Sequence, residues 1–464
     1  MIPNSRPFIE MLAWISLVMF PQTYLVALSS EESPPALVLH GASVFDSTSG
    51  LMMNNRTVVV ENNQITAVVP SEPGREFTSD SRIMDLQGKY IIPGLIDAHV
   101  HLVHLADRTH VTGDELLPLF LAAGVTAVRS AGDAIVAQVG VAHYARANRK
   151  ISPRIFMSSP LIDRNPPLHA DVGYPITDPE QVAEFVRDMK SWNVRSLKIY
   201  VGIDRKIGKR VIDEAHLHGL KVIGHLGNYS AQDAVTDGID CLEHIWSVFN
   251  YSIPSEVTNR PNFRSNLDLN NPRCQSLVNA IAKRKVAVDP TLVVFRNMIY
   301  LNDLESVHMH PDLDRMPHRL IRYWESYRRT VNLQANTRKE RRNEIRKYQE
   351  LTGILYRAGV PILVGTDAPE PFVPPGYSIH QELELLVQSG MPPAAVLQSA
   401  TRNNARIVGS EDDLGRIAPG YLADMVILSD DPTVDIRNTR RIEWIVHDGL
   451  LVRPEELLKD VPME

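Results

Sequence analysis

Residues 94–102 read GLIDAHVHL, an apolar run that closes on two histidines one residue apart. A β-strand sends alternate side chains to the same face, so His99 and His101 point one way from the end of such a strand. Taken alone, the pair is compatible with two unrelated histidines. Its meaning depends on whether the same unit, an apolar strand ending in polar residues, returns further along the chain.

It does. After GLIDAHVH come VTAVRSAG, RIFMSSPLI, SLKIYVG, KVIGHLG, CLEHIW, VAVDPTLVV and PILVGTDA, eight candidate strands in all. The stretches between them, such as Pro179–Trp192 and Lys206–His218, carry apolar residues at helical spacing. Eight alternating β and α units predict an α/β fold, a (β/α)8 TIM-type barrel over residues 93–411, with chemistry at the carboxyl ends of its strands. The stretches from about Asn250 to Gln275 and from His308 to Lys347 exceed what connections need and suit lids or a dimer contact. Within the second, RKERRNEIRK interleaves glutamate with its cations and reads as a solvated helix face.

The flanks have a different rhythm. LVLHGASVFD, RTVVVENNQITAVVP (with a turn at Asn62-Asn63) and RIMDLQGKYIIPG read as antiparallel strands and hairpins. GYLADMVILSD and RIEWIVHDGLLV, near the other end, have the same character. Residues 30–92 and 412–464 together are expected to build one small β-sandwich from both termini. The first 29 residues resemble a secretory signal peptide: MLAWISLVMF is the apolar segment, and Ala27-Leu28-Ser29 offers a small-residue cleavage site. An uncleaved membrane anchor is the alternative, although Pro21, Gln22 and Thr23 interrupt the stretch and ~20 apolar residues are needed for a span. Export to an extracellular or periplasmic space is the expectation, and cleavage would leave no stable membrane insertion. Sequons begin at Asn55, Asn228 and Asn250.

Composition narrows the chemistry. At 44% hydrophobic and 22% charged, the chain is that of a folded globular protein. A net charge of -7 argues against a broad nucleic-acid-binding surface. Two cysteines, Cys241 and Cys274, leave neither a disulfide framework nor a thiolate cluster, so imidazole and carboxylate would be the ligands of any metal.

Collecting the polar residue at each strand end gives His99 and His101, then Lys198, His225, His244 and Asp367. Each has an ordinary explanation by itself: a satisfied core histidine, a snorkelling lysine, a turn aspartate. Together, at successive barrel-strand ends, they suit Zn²⁺ or another first-row divalent ion.

With these residues in place, the chain resembles the amidohydrolase superfamily, in particular its binuclear-metal members near imidazolonepropionase and the prolidase-like dipeptidases. PGLIDAHVHL, GVTAVRSAGD, LKIYVG, VIGHLG, DCLEH, AGVPILVGTDAP and GYSIHQELELLVQSGMPPAAVLQSATRNNARIVG carry the resemblance, and LGRIAPGYLADMVILSDDP looks like the return into the sandwich. The resemblance implies that His99, His101 and Asp367 hold the more buried of two metals, and His225 and His244 the more exposed one. Lys198, carboxylated by CO2, would bridge them as a carbamate; an unmodified Lys198 beside a single metal is the alternative. Two such ions, on the order of 3.5–4 Å apart, share a water and generate hydroxide near neutral pH, and Asp367 would act as general base and then acid.

The substrate is expected to be a small molecule with an amide C–N bond, such as a dipeptide or N-acyl amino acid. A cyclic amide or lactone, a lyase or isomerase reaction on a secondary metabolite, and a binding protein on a retired barrel are the alternatives. Tyr200 shares a strand face with Lys198 and is a candidate substrate contact. His169, in the loop after the third strand, and His380, following the eighth, are two more, whereas Arg164 reads as an ordinary surface arginine. Asp97 alternates onto the face of His99 and is a candidate for orienting a ligand imidazole. A homo-oligomer is compatible with the sequence.

Overall fold

The computed structural model describes residues 35–72, 80–260, 262–301, 312–330 and 335–464. The segment expected to be a signal peptide, residues 1–29, lies outside them, and no described helix is long and apolar enough to cross a membrane.

The chain begins with β1 (Leu37–Asp46), β2 (Leu51–Glu61) and β3 (Gln64–Pro70), an antiparallel meander whose second turn is at Asn62-Asn63. β4 (Arg82–Asp85) and β5 (Tyr90–Pro93) depart from the antiparallel expectation: both run parallel to β1, β4 along its first half and β5 along its second. The pairing changes where register shifts interrupt the β1–β2 ladder, beside Gly41, whose φ of 82° suits glycine. Side chains such as Leu39, Val58, Ile65, Ile91, Met425 and Val446 fill the core enclosed there.

The barrel follows. β6 (Leu95–Val100), β7 (Val125–Ser130), β8 (Arg154–Asp163), β10 (Ser196–Ile199), β11 (Lys221–Gly224), β12 (Cys241–Glu243) and β13 (Ala287–Asp289) pair in that order, all parallel, with β9 (Gly173–Pro175) added beside β8. Every residue of β6 and β7 is buried, as expected of strands covered on both faces. Helices lie between them. Val182–Ser191 buries Val182, Phe185, Val186 and Met189, one stripe at helical spacing. Arg205–Leu217 starts where the Asp204 carboxylate accepts from the Ile207 N–H.

The eighth predicted strand is irregular, yet it closes the barrel. Leu363 N–H donates to Val288 O at 2.9 Å on one side, while Ala98 N–H donates to Val364 O at 2.9 Å and Asp367 N–H to His99 O at 2.7 Å on the other. Regular pairing stops because the segment bends into left-handed backbone at Asp367, φ 65°. The chain then returns to the first sheet through β14 (Met425–Leu428), which pairs with β5, followed by β15 (Ile442–His447) and β16 (Leu450–Val452). Both ends of the described chain thus share one sheet, mixed rather than antiparallel.

Candidate metal centre

The strand ends carry the site. His99 ends β6 with a fully buried ring, and His101 follows on the same side. The Nε2 atoms of both imidazoles face one carboxylate oxygen, Asp367 Oδ1, at 3.4 Å and 3.1 Å. One ligand atom from each of His99, His101 and Asp367 can be drawn within 4.8 Å of the others. His244 packs beside them with its ring centroid 4.7 Å from that of His99, and its Nδ1 lies 3.9 Å from the second oxygen of Asp367. His225 packs edge-on against His244, with ring centroids 4.4 Å apart. Asp367 therefore stands at the junction of two histidine pairs. His225 and His244 belong to no equally tight three-ligand set among the described residues.

Lys198 enters from β10. Its Nζ is buried, has no hydrogen-bond partner, and lies 3.9 Å from Glu243 Oε2. Burial holds its amine below the usual lysine range, against the pull of Glu243. The opposite happens at His101: burial opposes the charge, but Asp133 and Asp367 raise the imidazole to about 10. His225 falls to about 3 through burial and the neighbouring Lys198. Asp367 pays a burial penalty, but His244, His99 and His101 hold it well below the carboxylate range.

This donor set fits divalent cations. Carboxylates and imidazoles of the right type converge, His99 Nε2 is buried without a hydrogen bond, and the carboxylates around His101 draw positive charge to that spot. Backbone geometry agrees with a functional region, since His244 (φ 60°), Thr291 (φ 46°) and Asp367 all adopt left-handed conformations at strand ends.

The candidate substrate contacts divide. His169 Nε2 lies 3.1 Å from the Tyr200 hydroxyl, and Tyr200 packs edge-on against His225 at 5.1 Å. His169 continues to His104 at 5.4 Å and His104 to His101 at 5.5 Å. With His99 and His244, these rings close a circle around the mouth. His380 is not among them. It is buried, with Nδ1 2.9 Å from the Thr439 hydroxyl, and serves packing between its helix, Ser378–Gln388, and the returning chain rather than the rim. Arg164 is exposed.

A family model for amidohydrolases matches residues 90–449. The chain belongs to the amidohydrolase family. Over 56 residues, 12% of this chain and 14% of the relative, it is 45% identical to an imidazolonepropionase of Fusobacterium nucleatum, a match that spans about one seventh of the relative's length. Among solved structures, a Xaa-Pro dipeptidase with bound methionine in its active site superposes with a TM-score of 0.67 at 20% identity, covering 90% of this chain and 100% of that one. Bottromycin amidohydrolase does so at 0.69 and 22%, covering 93% and 91%. These structural likenesses concern the fold.

Several residues of this amidohydrolase site escaped the reading of the sequence. Asp97 does not touch an imidazole. Its carboxylate accepts from the His99 and Thr366 N–H groups at 3.1 Å each and from the Thr366 hydroxyl at 2.7 Å, so it ties β6 to the eighth segment. The imidazole contacts come from elsewhere: Glu243 Oε2 lies 2.5 Å from His99 Nδ1, Asp133 Oδ1 3.5 Å from His101 Nδ1, and the Thr291 hydroxyl 2.7 Å from His244 Nδ1. Their signal was a charged or hydroxylic residue near the end of an otherwise buried strand, as in VTAVRSAGD, CLEH and VAVDPT.

Proposed function

We propose that this amidohydrolase cleaves an amide C–N bond of a small molecule, with a dipeptide or N-acyl amino acid as the substrate class. The observation that carries the reading is the placement of Asp367 between the His99–His101 and His225–His244 pairs. His99, His101 and Asp367 would hold one divalent cation, assigned as Zn²⁺, and His225 and His244 a second. Lys198, once its buried amine had taken up CO2, would contribute to holding both ions, because a carbamate supplies anionic oxygens where an ammonium would repel them. When bound, the ions supply water activation and carbonyl polarisation.

The protein's own groups do the rest. Asp367 accepts a proton from the attacking water and returns it to the leaving nitrogen. Burial keeps Tyr200 above the usual phenol range, so its hydroxyl remains a donor and can hydrogen-bond a substrate oxygen while His169 fixes its direction. The test is a screen of dipeptides, N-acyl amino acids and lactones with the metal-loaded protein. Asp367→Asn should reduce turnover far more than metal content; near-normal turnover in that variant refutes its proton-carrying role. ¹⁸O from water should appear in the acid product, and its absence would exclude hydrolysis.

A further inference from the structure

We propose that Arg129 and Glu243 are positioning residues that fix which nitrogen of His99 carries hydrogen, and so which nitrogen His99 presents to a cation. The proposal rests on the metal reading above. All three side chains are sealed inside the barrel, at 1% exposure or less. Glu243 Oε1 accepts from Arg129 Nη2 at 2.7 Å, while Oε2 lies 2.5 Å from His99 Nδ1, a close ion-pair contact whose angle falls short of a directed hydrogen bond. Arg129 Nε donates at 2.5 Å to the carbonyl of Ala98, the residue before His99. One guanidinium therefore grips both the carboxylate that touches the imidazole and the backbone from which that imidazole hangs.

With a cation bound in the site, the chemistry has one consistent assignment. An ionised carboxylate only accepts, so the imidazole nitrogen facing it must be the donor. Placing hydrogen on Nδ1 leaves the lone pair on Nε2, the atom facing Asp367 Oδ1 beside His101 Nε2. The reverse tautomer would set a lone pair against a carboxylate oxygen in a dry interior and leave no ligand atom at the mouth. Asp289 reinforces the preference: its Oδ2 lies 3.7 Å from His99 Nδ1, and neither of its oxygens has a hydrogen-bond partner.

Glu243→Gln separates the relay from mere packing, because it keeps the volume and removes one acceptor. If the amide oxygen stays on Arg129, the new NH₂ points at His99 and favours hydrogen on Nε2. If the amide turns over, two donors face each other in the core. Zn²⁺ affinity should be measured by chelator competition for the full-length protein, Glu243→Gln, Glu243→Asp and Arg129→Lys. Glu243→Gln should bind Zn²⁺ about 10–100-fold more weakly with unchanged circular dichroism, and Glu243→Asp should recover part of the loss. ¹⁵N-histidine NMR of the unmutated protein should place the His99 hydrogen on Nδ1. Hydrogen on Nε2 there, or a folded Glu243→Gln with Zn²⁺ affinity within about 2-fold of the unmutated protein, overturns the proposal. If the variants fail to fold, the tautomer measurement decides alone. If the unmutated protein binds no divalent cation, the metal reading fails while the NMR result still judges the relay.

Discussion

Arg154, the first residue of β8, is the anchor between barrel and flanking sheet, and its removal should be costly. Its Nε and Nη2 contact the Asp424 carboxylate at 2.8 Å and 3.2 Å, and Nη2 also reaches Asp448 Oδ1 at 2.8 Å. Asp424 and Asp448 are 3% and 10% exposed, and the Asp448 N–H donates to Asp424, so the two carboxylates are drawn together. Arg154→Leu would leave both near each other with only His447, Arg149 and Asn63 to compensate. Breaking a buried pair from one side costs ~3–5 kcal/mol.

Acid supplies a second readout of the same cluster. Burial raises Asp448, but Arg149, Arg154 and Asn63 bring it down to about 2 from an ordinary 3.8. A depressed carboxylate stabilises the fold above its unfolded pKa and loses that contribution as pH falls through the folded value. After discounting for solvent screening, that depression contributes on the order of 1 kcal/mol, present at pH 7 and fading between about pH 4 and 2. Urea unfolding of the unmutated protein and Arg154→Leu at pH 7 and pH 3 should show a large difference that narrows on acidification. A difference below about 1 kcal/mol at pH 7, or one that widens in acid, would refute the argument.

Gly365→Ala should damage the centre without altering any ligand. A Cβ there would stand 2.2 Å from Asp289 Oδ2 and 2.6 Å from His99 Cβ, so the expected result is about 1–3 kcal/mol of lost stability in unfolding melts together with weaker Zn²⁺ binding. Lys198→Arg places a permanently charged group where the proposed carbamate would form, and elemental analysis should find bound metal falling from about two equivalents to about one or fewer. His380→Ala should lower stability by about 1–3 kcal/mol, since it empties a buried imidazole site and removes the contact to the Thr439 hydroxyl, which keeps its bond to the Ile436 carbonyl, while leaving KM unchanged; a changed KM would return His380 to the substrate rim.

What could be read from the sequence follows from what periodicity can carry. Strand and helix spacing report burial, and burial is local, so the alternation of units from GLIDAHVH to PILVGTDA was visible. The ends of those strands were visible for the same reason, which is why His99, His101 and Asp367 could be collected before their distances were known. Parallel pairing of β4 and β5 with β1 was not visible, because strand direction depends on which distant partner a segment meets, and the alternation of side chains is the same either way. His380 shows the same limit from the other side. Its motif follows the eighth strand closely, but one helical turn decides whether an imidazole faces the mouth or the helix's own packing surface, and here Thr439, 59 residues on, captures it.

Arg129 and Glu243 expose a deeper limit. Each lies in a strand otherwise apolar enough to read as core, and a charge there is tolerable only when a partner neutralises it. The partners come from strands 114 residues apart in sequence, so no local pattern couples them. A buried charge within a barrel strand nevertheless carries its own signal: the fold must supply the opposite charge from another strand. Had Arg129 been read that way, the acidic residues that end the inward-facing strands, Glu243 and Asp289, would have been the available answers. The ligands mark where a site is, whereas buried charges that bind no ligand mark how it is held, and the second set becomes legible only once the first has established which strand ends converge.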